Sequence, residues 1–313
     1  MKILVTGGAG FIGSHLSEKL ASEGHRVTVL DSLSSFLYSS ELKSRNIENF
    51  KQLGINFFRV DLNDPEVGNI VKGMDVVINQ AAIPGLVKSW THLDEYMNSN
   101  VVGLGNLLKA CSRFKIRKFI QISTSSVYGY EATGNENSDL KPHSPYGVSK
   151  LAAEKLVIAY GANFDIPFTI LRYFSVYGPR QRPDMAYQKF ITSIIDDQPI
   201  VVFGDGSQTR TNTYVSDIVD GTISVINAGE ISNGKTYNLS GLKSVTLTEA
   251  IKIIESINGK AARITFGPAK VGDQKNTEGN ISLARKELGY FPGTDFLNGL
   301  EAQFVWNYNL RKS

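Results

Sequence analysis

Tyr146 and Lys150 stand four residues apart in Ser144-Pro145-Tyr146-Gly147-Val148-Ser149-Lys150. This reads as a helix start, so the two side chains share a face. An ammonium close to a phenol favours the phenolate, which makes Tyr146 a candidate base near neutral pH. Just upstream, Ser123-Thr124-Ser125-Ser126-Val127-Tyr128-Gly129 gathers hydroxyls at a strand end. A hydroxyl such as that of Thr124 can orient a substrate oxygen, or it can simply satisfy the strand-end backbone. With 13 tyrosines in the chain, a Tyr-x-x-x-Lys pair can arise by chance, so its meaning depends on the elements around it.

The first of those elements is Lys2-Ile3-Leu4-Val5-Thr6-Gly7-Gly8-Ala9-Gly10-Phe11-Ile12-Gly13-Ser14. Ile3, Leu4 and Val5 form a short apolar run, as a parallel strand covered on both faces needs. The glycines that follow suit a tight turn, a close approach of backbone to a pyrophosphate, and a helix packed hard on its strand. The unpaired amides of that helix start favour an anion. A second strand, Arg26-Val27-Thr28-Val29-Leu30, ends in Asp31, eighteen residues after Gly13. A carboxylate at that distance accepts ribose hydroxyls in a dinucleotide fold. Asp31 repels a 2′-phosphate, and no Arg or Lys follows it before Lys43, which favours NAD over NADP.

Strands at 56–61, 75–82 and 118–123 alternate with helical stretches, the clearest at 93–113, where Met97, Val101, Leu104, Leu107, Leu108 and Cys111 make an apolar stripe. Such alternation implies a parallel sheet with right-handed crossovers and a binding crevice at its carboxyl edge. Asp61 either accepts from an adenine amino group or caps its own turn. Ala81 and Ala82 leave room for a ligand across the sheet. A helix from about 146 to 163 and a sixth strand at 167–171 follow. Beyond these, Gly-rich and polar segments at 179–183, 204–213 and 267–279 mark a smaller, irregular region. The expected division is a dinucleotide-binding domain at 1–175, with a return segment near 214–240, and a mainly substrate-binding domain at 176–313.

Composition excludes several classes. The chain has 313 residues, a net charge of +3 and a single cysteine. There is no basic run for nucleic acid, no disulfide framework, and no metal-ligand spacing among the four histidines. No apolar run is long enough to span a membrane, and no signal peptide is read at the N-terminus, so a cytoplasmic protein is expected.

The motifs together resemble an extended short-chain dehydrogenase/reductase of the NAD-dependent sugar-nucleotide epimerase/dehydratase family. The resemblance rests on TGGAGFIGS, Asp31, Gln80-Ala81-Ala82, Asn100-Val101, STSSVYG, YGVSK, LRYFSVYGPRQRPDMA, VVFGDGSQTR and Leu288-Gly289-Tyr290-Phe291-Pro292. It implies an α/β, Rossmann-type doubly wound sheet with an interleaved, smaller C-terminal domain. It puts Thr124, Tyr146 and Lys150 on catalytic positions. Gly7, Gly10, Phe11, Ile12, Gly13, Asp31, Ser32, Asp61, Leu62, Gln80, Ala81, Ala82, Asn100, Ser123, Tyr173 and Phe174 fall on NAD-binding positions, with Tyr146 and Lys150. Ser125, Ser126, Ser175, Arg182, Gln188, Phe203, Arg210, Lys270 and Asp273 fall on positions that hold the UDP-sugar. Related proteins pair through helices matching 93–113 and 146–163, which implies a homodimer.

Relatives that eliminate water carry an Asp-Glu pair where Ser125 and Ser126 stand, and relatives that decarboxylate UDP-glucuronate carry Glu in place of Ser126. Serine is neither a general acid nor a base near pH 7 without help. Reversible oxidation at one carbon remains, which implies a 4-epimerase. The RPDMA run and the serines resemble those of UDP-glucuronate epimerases, in which neutral hydroxyls hold the sugar carboxylate. UDP-glucose and UDP-N-acetylglucosamine are the other candidate substrates. A dehydratase with unusual acid/base residues and a non-catalytic NAD-binding regulator are the competing readings. The pattern departs from the family at Leu86-Val87, Thr211-Asn212, Ser216 and Gly279-Asn280.

Overall fold

The computed structural model describes residues 1–268 and 276–312. Seven strands build the main sheet: β1 (Lys2–Thr6), β2 (Arg26–Leu30), β3 (Asn56–Phe58), β4 (Val76–Asn79), β5 (Lys118–Thr124), β6 (Phe168–Tyr173) and β7 (Lys235–Leu239). Their spatial order is β7-β6-β5-β4-β1-β2-β3, and every pairing is parallel. The chain runs outward from β1 through β2 and β3, then restarts on the other side of β1 at β4. That reversal opens a crevice above the carboxyl ends of β1 and β4.

Alternation along the strands separates two apolar layers. Ile3 and Val5 face α1 (Phe11–Ser22) and α3 (Val215–Asn227), together with Leu16, Leu20, Ile218 and Val219. Leu4 and Val77 face the other layer, built from Leu104, Leu107 and Leu108 and from Ala153 and Val157 of α2 (Pro145–Phe164). A third cluster holds the smaller region together, with Phe190, Ile191, Ile251, Ile254 and Leu300 at its centre. There the strand Ile200–Phe203 pairs with Ile264–Gly267, and Thr209–Thr211 pairs with Ser244–Thr246.

Three of the differences from the sequence expectation bear on the site. The third strand stops at Phe58. Asp61 lies beyond it, and its Oδ1 accepts from both nitrogens of Asn63 at 2.9 and 3.0 Å, capping the turn. The stretch 93–113 is not one α-helix. It is Leu93–Met97, a π-helical segment Asn98–Gly103, and Leu104–Cys111. The widened turn carries buried Asn100, which bonds both backbone groups of Ile83 and the Ser149 hydroxyl. α2 starts one residue early because Ser144 caps it, its hydroxyl accepting from Gly147 N at 3.1 Å, with Pro145 in the first turn.

A buried polar chain crosses the layers. Glu154 of α2 accepts from Arg172 Nε and Nη2 at 3.0 and 2.8 Å and from the Ser123 hydroxyl at 2.5 Å. Arg172 Nη1 also donates to the Tyr128 hydroxyl, which donates onward to Asn238 of β7. Glu154→Gln leaves a buried guanidinium without its anion and is expected to cost about 3–5 kcal/mol in urea unfolding. A second prediction concerns the glycine turn. A Cβ on Gly13 would sit 2.3 Å from Gly7 O, which is backbone that cannot give way. Gly13→Ala should lose about 1–3 kcal/mol. Gly10→Ala meets only that same oxygen at 3.2 Å and should lose about 1 kcal/mol or less in the same unfolding series.

Candidate active site

The β1–α1 turn forms the floor of the crevice. Gly7 has φ +67°, and a Cβ there would lie 2.7 Å from Ala81 Cα, so β1 and β4 nearly touch above the sheet. α1 begins at Gly10 with no side-chain cap and no acidic residue in its first turn, which leaves its amides to an anion. Asp31 is 7% exposed. Its Oδ2 accepts from Ala9 N at 3.1 Å and its Oδ1 from Leu33 N at 2.8 Å. Asn46 holds the Ala9 carbonyl from the other side at 3.0 Å. The carboxylate expected to meet a ribose therefore also braces the turn that would meet the phosphates.

The cleft above this floor measures about 330 Å³. Gly7, Gly10, Phe11, Ile12, Gly13, Asp31, Ser32, Asp61, Leu62, Gln80, Ala81 and Ala82 all line it. Buried Gln80 Oε1 has no hydrogen-bond partner, an acceptor left over for a ligand. That orphan acceptor, the glycine cradle and the uncapped helix start fit a dinucleotide. Lys43, the first basic residue after Asp31 in the sequence, is not among the expected site residues, yet the fold brings it into the same cleft, over the Tyr38 ring at 5.1 Å and donating to Ser34 O at 2.8 Å. Burial lowers its pKa, with the Asp31 charge opposing that shift.

Six expected cofactor positions lie outside that lining: Asn100, Ser123, Tyr173 and Phe174, and Tyr146 and Lys150, which are described below. Asn100 holds the 83–84 backbone to α2 through Ile83 and Ser149. The Ser123 hydroxyl is spent on Glu154, and the Tyr173 hydroxyl on Thr222 at 2.6 Å within the opposite apolar layer. Phe174 is fully buried with Val127, Tyr128 and Ala132. The side chains of Ser123, Tyr173 and Phe174 are thus turned to the core, because the strand ends they occupy alternate between the crevice and the packed layers.

The expected catalytic groups meet at the end of β5. Thr124 Oγ1 accepts from Ser126 N at 3.2 Å and donates to Ser126 Oγ at 3.3 Å, opening a short 3₁₀ turn, Ser125–Val127. Gly147 lets α2 sit against that turn, since a Cβ there would lie 2.7 Å from Ser126 O. Tyr146 lies with its ring edge-on to Tyr96, centroids 6.2 Å apart. Burial pushes its phenol above the ordinary value, and a hydrogen bond with Thr124 and the Arg182 charge only partly offset this. Lys150 Nζ donates to Ile122 O at 2.7 Å, and burial lowers the ammonium to about 8 against the pull of Glu154.

The expected substrate positions divide. Ser125 and Ser126 are buried beside Thr124, and Ser175 has a strained φ of +21°. Arg182 lines the cleft and forms a two-pronged ion pair with Asp184. Gln188 Oε1 accepts from Gln303 at 3.3 Å within a buried cluster that includes Gln181, so this side chain ties two helices together. Phe203 ends the strand Ile200–Phe203, and Arg210 Nη1 donates to Thr209 O in the strand Thr209–Thr211. Lys270 and Asp273 lie outside the described residues. The departures Thr211, Gly279 and Asn280 line a separate cavity of about 280 Å³. Among the described residues there is no His, Cys, Asp or Glu group that could hold a metal, and no helix long and apolar enough to cross a membrane.

Residues 3–240 match the NAD dependent epimerase/dehydratase family. An uncharacterized UDP-glucose epimerase of Bacillus subtilis is 40% identical over 311 residues, covering 98% of each chain. A UDP-glucuronate 4-epimerase of Thermodesulfobacterium geofontis is 34% identical over 312 residues, covering 97% of this chain and 95% of that one. Among solved structures, UDP-glucuronic acid 4-epimerase from Bacillus cereus, in complex with UDP-glucuronic acid and NAD, superposes with a TM-score of 0.96 at 40% identity, covering 99% of this chain and 100% of that one. With that coverage and identity, the chain belongs to the NAD-dependent epimerase/dehydratase family.

Proposed function

We propose that this protein is an NAD-dependent UDP-sugar 4-epimerase whose substrate is UDP-glucuronate. The observation that carries the reading is the Thr124–Tyr146 pair beside the dinucleotide cleft, with serine and not a carboxylate at 125 and 126. The relatives named as UDP-glucuronate 4-epimerases support the choice of sugar. Bound NAD supplies a hydride acceptor, and afterwards the donor, at the sugar C4. Tyr146 takes the C4 hydroxyl proton and returns it once the 4-keto sugar has turned over. Thr124 orients the same oxygen. Lys150, anchored on the Ile122 carbonyl, holds its positive charge at the base of the site. Ser125, Ser126 and Ser175 offer neutral hydroxyls to the carboxylate. Elimination of water has no acid–base pair at 125 and 126 to serve it.

The division into a cofactor part, 1–175 with a return segment near 214–240, and a mainly substrate part in 176–313 follows from the same reading. The chain is also proposed to pair with a second copy through the π-helical segment and α2, where Val102, Val148 and Ile158 are exposed. Val148→Glu with Ile158→Lys should then turn a dimer into a monomer in sedimentation velocity, and an unchanged mass would refute the pairing.

The reaction is tested by offering UDP-glucuronate, UDP-glucose and UDP-N-acetylglucosamine separately with NAD, and separating the products with mass detection. A new peak of unchanged mass from UDP-glucuronate is expected. Such a peak only from a neutral sugar would move the substrate, and loss of water or CO₂ would overturn the reaction. Tyr146→Phe should lose about 10²–10⁴-fold in turnover while still binding NAD.

A further inference from the structure

The loop that follows β2 does not stay on its own side of the crevice. It leaves Asp31, whose carboxylate holds Leu33 N at 2.8 Å, and Leu33 turns back with φ +52°. Lys43 donates to Ser34 O at 2.8 Å and steadies the loop at its base. The tip, Phe36, is fastened to residues that follow β4. Lys88 stands in the short helix Leu86–Ser89, directly after the Leu86-Val87 departure. Its ammonium donates to Phe36 O at 2.9 Å and lies 5.2 Å from the centre of the Phe36 ring. The same ring meets His92 edge-on at 5.3 Å and Tyr96 at 6.4 Å. In the sheet β1 lies between β2 and β4, and all three run parallel. A connection from the end of β2 to the end of β4 therefore passes over the end of β1, where the glycine turn forms the floor.

The two sides of this bridge differ in stiffness. Tyr96 is fully buried, and its hydroxyl donates to Pro84 O and Gly85 O at 3.0 and 2.9 Å, so the side after β4 is anchored to the core. The loop after β2 is held to it by an exposed ammonium and by ring edges, contacts that open more readily than a buried network. Phe36 lines the cleft from the inside, with Pro84 opposite, whereas Lys88 is exposed and lies outside that lining.

We propose that Lys88 latches the 32–38 loop across the crevice as a bridge that gates the exchange of NAD. Opening of the bridge is then the step that entry and departure share. A latch that holds equally well with the cleft empty or filled slows both directions by one factor and leaves the equilibrium constant where it was. Under the reaction proposed above, hydride returns within a single turnover, so a closed bridge does not hold back the chemistry. The latch itself depends on the dinucleotide and on no particular sugar.

The test is cofactor exchange on the full chain. Protein loaded with labelled NAD is chased with unlabelled NAD to give the release rate, and equilibrium competition gives the Kd. Lys88→Met keeps the aliphatic stem and removes the ammonium. It should raise the release rate by about threefold or more, the scale of an exposed cation–π contact with a hydrogen bond. The Kd should stay within about twofold of the parent, because entry accelerates as well. An unchanged release rate overturns the latch. So does a Kd that weakens in step with the release rate, since Lys88 would then be a contact to NAD and not a gate. Phe36→Ala removes the ring from both the bridge and the cleft wall, so it should speed release and weaken the Kd together. Release at the parental rate from that variant would mean that the loop does not close the crevice. A parent that takes up no NAD sinks the cofactor reading and the latch at once, whereas a parent that holds NAD beside an unaltered Lys88→Met sinks the latch alone.

Discussion

The constraint on which the rest depends is the near-contact of two backbones. The turn after β1 passes so close to the end of β4 that a single methyl group on Gly7 would collide with Ala81. Gly13 repeats the condition one turn later against Gly7 itself. Because side chains are excluded there, the space above the sheet is bounded by amides and carbonyls. The β1/β4 reversal in strand order then makes that space a crevice and not a packed layer. Asp31 and Asn46 hold Ala9 from opposite sides, so the turn is stiffened by the same carboxylate that faces the cleft. Binding surface and fold are here one set of hydrogen bonds.

Charge is arranged around this crevice in pairs. Glu154 lies one helical turn beyond Lys150 and is held by Arg172, so the ion pair is buried behind the catalytic helix and not inside the site. Its anion still reaches Lys150 through the helix, opposing the effect of burial. On the other side, Arg182 is paired with Asp184, and Arg180 with Glu18. Lys43 lies near Asp31. Each cation that approaches the cleft therefore has an acidic group close by, which suits a site that must take up a negatively charged nucleotide sugar without trapping it.

The glycine string, the Asp31 strand end and the alternation of strands and helices were legible because each is a local rule: a period, a turn requirement or a fixed spacing. The twelve cleft residues named from them sit together in one cavity. What sequence could not give was the direction of side chains at strand ends. Ser123 and Tyr173 lie at the carboxyl edge as expected, but each points into a packed layer, and the difference is one step of a two-residue period. Gln188 has the same history: its motif position was plain, while its partner Gln303 is far along the chain. Lys43 carried no motif signal, and it is the loop after Asp31, folding back, that brings it into the same cleft. The π-helical turn at Asn98–Gly103 left a trace that could have been read: a polar Asn100 within an apolar stripe, which an ordinary helix would have had to bury without partners.

The electrostatics of Tyr146 and Lys150 are dominated by burial. Burial acts on both in the direction of neutrality, raising the phenol and bringing the ammonium down to about 8. The hydrogen bond with Thr124 and the charge of Arg182 work against burial and lose. The packing that raises the Tyr146 phenol would also, by excluding water, magnify the effect of any charge placed next to it.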